Sequence, residues 1–110
     1  MNLAEELSSK FDIDEMFEKG RGAANFLKAM AHEGRLMILC HLVMGEKSVT
    51  ELENLLSSRQ AAVSQQLARL RIEGIVSFRR DGKAIYYSIK DEKVLKLVSR
   101  LYEEFCVKDN

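Results

Sequence analysis

Two short amphipathic helices joined by a tight turn, followed by a hairpin-forming run, predict a mainly α chain with a β-hairpin wing, the winged helix-turn-helix. The first observation is residues 57–73, SSRQAAVSQQLARLRIE, where Val63, Leu67 and Leu70 fall in one narrow arc of a helix. The second is residues 48–56, SVTELENLL, where Ser48 and Glu51 have the spacing of a capping box and Leu52, Leu55 and Leu56 form the apolar side. The third is residues 75–89, IVSFRRDGKAIYYSI. Its two arms are rich in β-branched and aromatic residues, and Asp81-Gly82 between them suits a type I′ turn, which needs positive φ at both central residues. Gly74 is placed to end the longer helix. The candidate reader helix is therefore 58–73 and the wing 75–89.

The remaining elements follow in chain order. Residues 2–18 read as a helix with Leu3, Leu7, Phe11, Met16 and Phe17 as apolar positions, bent or broken near 12–14. Gly20 and Gly22 mark a junction, and 23–31 forms the next helix with Ala24, Leu27 and Met30 or Ala31 inward. Gly34 weakens a helix interior by about 1 kcal/mol relative to Ala, so His32-Glu33-Gly34 is a boundary. Residues 35–44, RLMILCHLVM, are apolar nearly all round and form the central core helix, ended by Gly45. Asp91 caps the last helix, which runs to about Cys106. Its face of Val94, Leu95, Leu97, Val98, Leu101, Tyr102 and Phe105 is wide enough to meet two surfaces.

At 110 residues without internal repeats, the chain reads as one domain, 1–110. A domain of this size cannot bury both terminal helices, so 2–18 and 91–106 are expected to form a homodimer interface, which suits a palindromic duplex. No apolar run approaches a membrane span and the acidic start lacks a signal peptide's features, so a cytoplasmic protein with no membrane partner is expected. Net charge is zero, but it is segregated: 59–90 carries seven basic residues against Glu73 and Asp81, and 1–20 carries six acidic residues against Lys10 and Lys19. No Ser-His-Asp grouping, glycine-rich phosphate loop or carboxylate pair at a cleft is visible, so an enzyme is not expected, nor a cofactor.

The basic block coincides with the reader and wing. Opposite the apolar stripe, the helix carries Ala61, Ser64, Gln65 and Ala68, with Arg69 at the flank. A merely solvated face usually carries Glu and Lys. Small and amide side chains suit the DNA major groove, where Gln reads base edges and Ala lets the backbone approach. An ordinary amphipathic helix fits the same residues, and the capped helix before it and basic-tipped hairpin after it are what favour the DNA reading. Cys40 and Cys106 also admit two readings: small buried hydrophobes, or a reactive pair.

Residues 26–36 (FLKAMAHEGRL) and 63–89, from VSQQLARLR to DGKAIYYSI, resemble the ArsR/SmtB family of bacterial winged-helix repressors over nearly the whole chain. The resemblance implies a homodimer that binds double-stranded operator DNA and releases it when an inducer occupies a sensing site. It implies DNA contacts from Gln60, Ser64, Gln65 and Arg69 of the reader and from Arg79, Arg80 and Lys83 of the wing. The family's metal sites find no match. The helix before the reader has no Cys, and the last helix has Asp91 but no His, so no metal ligands are assigned; His32 reads as a helix boundary and His41 as a surface or interface residue.

AMAHEGRLMILCHL together with the late Cys of LYEEFC is similar to the dithiol, persulfide-sensing (BigR/SqrR-like) branch of that family. That resemblance implies Cys40 and Cys106 as the sensing pair, brought together where the last helix returns past the central one, and reactive sulfur species as inducer. The alternatives are a general thiol-oxidant sensor that forms a plain disulfide, and a metal-responsive repressor of the same family.

Overall fold

A computed structural model describes residues 2–10, 12–57 and 60–106, and the side chains of 7–10, 60 and 61 lie outside that description. Among the described residues six helices and three short strands follow in order: α1 Leu3–Lys10, α2 Ile13–Met30, α3 Glu33–Val43, β1 Lys47–Ser48, α4 Val49–Leu56, α5 Gln60–Ile72, β2 Val76–Asp81, β3 Ala84–Ile89 and α6 Glu92–Phe105. The strands form one antiparallel sheet in the order β1-β3-β2. This is a mainly α winged helix-turn-helix.

The break expected near 12–14 is present, because Asp12 caps a new helix: its carboxylate accepts from the Glu15 backbone N–H at 2.7 Å. The junction expected at Gly20 and Gly22 needs correction. The new helix continues through both glycines as far as Met30. Of the expected inward residues, Ala24, Leu27 and Ala31 are exposed and Met30 is buried; Ala29, which was not expected inward, is buried beside it. The expected apolar position Phe11 and the side chain of Leu7 lie outside the described residues.

From α3 onward the local chemistry decides the elements. His32 Nδ1 accepts from the Gly34 N–H at 3.1 Å and so caps α3. Ser48 and Glu51 make the reciprocal capping box that opens α4, both bonds 3.0 Å long. Ser57 ends α4 in the left-handed region (φ 50°). Gly74, at φ +75°, closes α5 with the Ile75 N–H bonded back to the Leu70 carbonyl. Asp91 caps α6 by accepting from the Lys93 N–H.

The hairpin register differs by one residue from the expected turn. Asp81 pairs with Ala84, so Gly82 and Lys83 form the loop. Only Gly82 takes positive φ (+63°), the pattern of a type II′ turn, which needs glycine at the first loop position alone.

The core sits where α3 meets α4, α5, α6 and the sheet. Ile38, Leu39, Leu42, Leu52, Val63, Leu67, Leu70, Ile75, Val76, Val94 and Val98 are all buried. Fully burying each such side chain contributes about 1.5–3 kcal/mol, which makes this cluster the main source of stability. The terminal helices are different. Ile13, Phe17, Leu27 and Phe105 are more than half exposed, and Leu95, Leu97 and Tyr102 are partly so. The Cα radius of gyration is 16.6 Å, against ~13 Å for a compact domain of this length, and the described part of α2 buries Ala29 and Met30 alone.

Candidate functional site

The reader helix divides as its sequence suggests. Val63, Leu67 and Leu70 are buried, and Ala62, Ser64, Gln65, Ala68 and Arg69 face outward. The described helix begins at Gln60, so the expected residues 58 and 59 and the side chains of Gln60 and Ala61 lie outside the described residues. Arg69 is exposed beside Glu73, one turn on, at 3.3 Å. Such a surface pair is weak and leaves the guanidinium available to a stronger anion.

Besides the buried stripe, two polar contacts orient this helix, and neither is legible as a motif. Arg35, on α3, donates through Nη1 to Gln66 Oε1 at 3.1 Å and through Nε to the carbonyl of Ala29. Arg71, at the other end of α5, lies 4.3 Å from the ring centroid of Phe78 on β2, and Phe78 packs against Tyr87 on β3 at 5.8 Å. The reader is thus fixed to α3 at its middle and to the wing at its end.

The wing presents Arg79, Arg80 and Lys83, all exposed. They are not equivalent. Arg79 is held in a bidentate pair by Glu46, at 2.6 and 2.9 Å, whereas Arg80 and Lys83 have no ion-pair partner among the described residues. The Arg79 guanidinium holds the Glu46 carboxyl below the usual carboxylate range. The residues Arg35, Gln66, Arg71 and Glu46 had no signal in the sequence, since Arg35 and Gln66 are 31 positions apart and Arg79 and Glu46 are 33 apart.

Cys40 on α3 and Cys106 at the end of α6 line one apolar cavity of about 280 Å³, with Leu36, Met37, Leu101, Tyr102 and Phe105. Both thiols are free; Cys106 is exposed and Cys40 half-buried. Burial first, and the neighbouring Cys106 second, push the Cys40 thiol above its ordinary pKa. Phe26 lines a separate groove between α2 and α6 with Leu27 and Leu97. No group of three or more His, Cys, Asp and Glu that could hold a metal gathers among the described residues. No helix among them is long and apolar enough to cross a membrane.

Residues 32–77, from the cap of α3 into β2, match the model of the bacterial regulatory protein, arsR family. The chain is 43% identical over 105 residues to the biofilm growth-associated repressor of Agrobacterium fabrum, covering 91% of this chain and 90% of that protein. This chain belongs to the ArsR family. Among solved structures it is similar to reduced HlyU from Vibrio cholerae, with TM-score 0.84 and 38% identity over 86% of this chain and all of that one. It is also similar to the repressor BigR from Xylella fastidiosa, with TM-score 0.79 and 42% identity over 89% of this chain and all of that one. The chain is a winged-helix regulator of the ArsR family, whose members bind DNA and are typically dimers.

Proposed function

We propose that this ArsR-family regulator is a cytoplasmic, homodimeric repressor that binds operator DNA and releases it when Cys40 and Cys106 are bridged by reactive sulfur. The observation that carries the reading is the shared cavity: two free thiols, 66 positions apart, line one apolar pocket between α3 and α6. Ser64, Gln65 and Arg69 enter the major groove, with Gln60 at the start of the helix, and Arg80 and Lys83 of the wing meet phosphates. Arg79, already committed to Glu46, is left out of this set. The exposed apolar residues of α1, α2 and α6 pack against the second copy, which sets the spacing of the two readers.

The chemistry needs no external oxidant beyond the inducer. The Cys106 thiolate attacks the outer sulfur of a persulfide RSSH, forms Cys106–S–SH and expels the thiolate RS⁻. A second persulfide extends this to Cys106–S–S–SH with loss of another RS⁻. The Cys40 thiolate then attacks the middle sulfur, expels hydrosulfide and closes a bridge with one inserted sulfur. Exposure of Cys106 and the raised pKa of Cys40 support this order. A coupling of ~1–3 kcal/mol between bridge and DNA geometry suffices for release.

The test uses the duplex that the protein enriches from a random-sequence pool. Affinity is titrated for reduced, glutathione-persulfide-treated and peroxide-treated protein, with mass spectrometry on each sample. Release accompanied by sulfur inserted between Cys40 and Cys106 is expected with persulfide. Loss of binding with both thiols unlinked overturns the mechanism, and equal release by peroxide with a plain disulfide replaces it with general oxidant sensing.

A further inference from the structure

The wing carries three cations, and one of them is already spoken for. Arg79 Nε donates to Glu46 Oε2 at 2.9 Å and Nη2 to Glu46 Oε1 at 2.6 Å, a fork-to-fork pair. Its guanidinium carbon lies 4.7 Å from the ring centroid of Tyr86, the residue directly opposite on β3. The Asp81 carboxylate stands on another side, 3.9 Å from Nη1. Glu46 immediately precedes β1, so the Arg79 side chain reaches across β3 from one edge strand to the other.

This pair is not what holds the sheet. β3 is laddered by backbone bonds to β1 on one side and to β2 along six residue pairs on the other. Its two-point geometry makes it firmer than a single-contact surface pair such as Arg69–Glu73, but an exposed pair still contributes little to folding beside the backbone ladder. Its larger consequence is for the charge the wing offers to a polyanion. Non-specific DNA binding scales with the number of phosphates a protein neutralises. A carboxylate already bound in two-point geometry removes one cation from that number. Moving Arg79 to a phosphate would leave Glu46 unpaired beside the DNA.

We infer that Glu46 is a specificity-determining residue: by keeping Arg79 from the phosphate backbone, it restricts the wing's grip to Arg80 and Lys83 and holds non-specific binding down. The inference rests on the DNA-binding part of the proposed function, and not on the dithiol. It is tested by the salt dependence of affinity for a random duplex and for the enriched duplex. The proteins are the wild type, Arg79→Ala, Arg80→Ala, Glu46→Gln and the Glu46→Gln/Arg79→Ala double variant, each checked for its fold by circular dichroism.

Each phosphate contact contributes about 0.9 to the slope of log K against log salt. Glu46→Gln should steepen the slope by about 0.9 per subunit, tighten random-duplex binding severalfold and lower the ratio of enriched to random affinity. Arg79→Ala alone should leave the slope unchanged, Arg80→Ala should reduce it by about 0.9 per subunit, and the double variant should return to the wild-type slope. The inference is overturned if Arg79→Ala lowers the slope as Arg80→Ala does, or if Glu46→Gln leaves it unchanged. If the wild type binds no duplex in a salt-dependent way, the DNA-binding reading fails first and this one falls with it.

Discussion

Arg35 Nη1 donates to Gln66 Oε1 at 3.1 Å, so the helix that carries Cys40 is tied directly to the helix that carries Ser64 and Gln65. Gln66 and Arg35 are both half-buried, and the neighbouring Gln65 is exposed. The expected result is that Arg35→Ala and Gln66→Ala each weaken binding to the enriched duplex more than to random DNA. A hydrogen bond to a charged group contributes about 1.5–3 kcal/mol, and if both variants act through this one bond their losses do not add. Additive losses in a double-mutant cycle would assign Gln66 to the DNA instead.

The reader helix itself allows a contrast between folding and reading. Leu67 is fully buried, and Leu67→Ala should cost ~2–5 kcal/mol in urea unfolding. Gln65 is exposed, and Gln65→Ala should leave unfolding within about 0.5 kcal/mol of wild type. On the enriched duplex the same change should cost ~1–3 kcal/mol, with little effect on random DNA. Equal losses on both duplexes would show that Gln65 reads no base.

Cys40 gives a pH dependence with a definite sign. Its folded pKa is raised, chiefly by burial and then by Cys106. The folded chain therefore keeps the proton to higher pH than the unfolded chain. Stability falls as pH rises from the ordinary thiol value through the raised one, and a Cys40→Ser variant should lose that fall. Iodoacetamide labelling of Cys40 should rise with pH through a midpoint above the usual thiol range. Cys106→Ser should lower that midpoint, because the neighbouring charge is gone, without returning it to the ordinary value, because burial remains. A midpoint unmoved by Cys106→Ser would mean that the two thiols do not sense one another.

Exposed apolar residues on three helices predict association. Phe17 on α2 is 71% exposed and Leu97 on α6 is 39% exposed. Phe17→Glu and Leu97→Glu should shift the protein to a monomer in sedimentation equilibrium and abolish tight binding to a two-fold site, while circular dichroism stays unchanged. A dimer that survives both substitutions places the interface elsewhere.

The elements from α3 to α6, apart from the two-residue strand β1 that only its pairing with β3 reveals, were legible in the sequence because local chemistry decides them. The capping box of Ser48 and Glu51, the glycine at Gly74 and the cap at Asp91 act within a few residues, and the stripe of Val63, Leu67 and Leu70 needs only helical periodicity. Periodicity also left Ser64, Gln65 and Ala68 on the outer face. Where local signals compete, sequence is a weaker guide: Gly20 and Gly22 suggest a junction, but the Asp12 cap sets the helix boundary and α2 runs on past them. The wing's turn moved by one residue because strand pairing, not the Asp-Gly dipeptide, fixes the register.

The tertiary structure alone decided which distant polar groups meet. Arg35 finds Gln66, Arg79 finds Glu46, and Arg71 finds Phe78, through packing of elements that nothing in the intervening sequence foretells. Charge counting treated Arg79, Arg80 and Lys83 alike, and only folding separates the paired cation from the other two. The same holds for the two cysteines. Composition identifies two thiols, but the crossing of α6 over α3 is what brings them to one cavity, because side-chain proximity over such a separation is a property of packing and not of the chain.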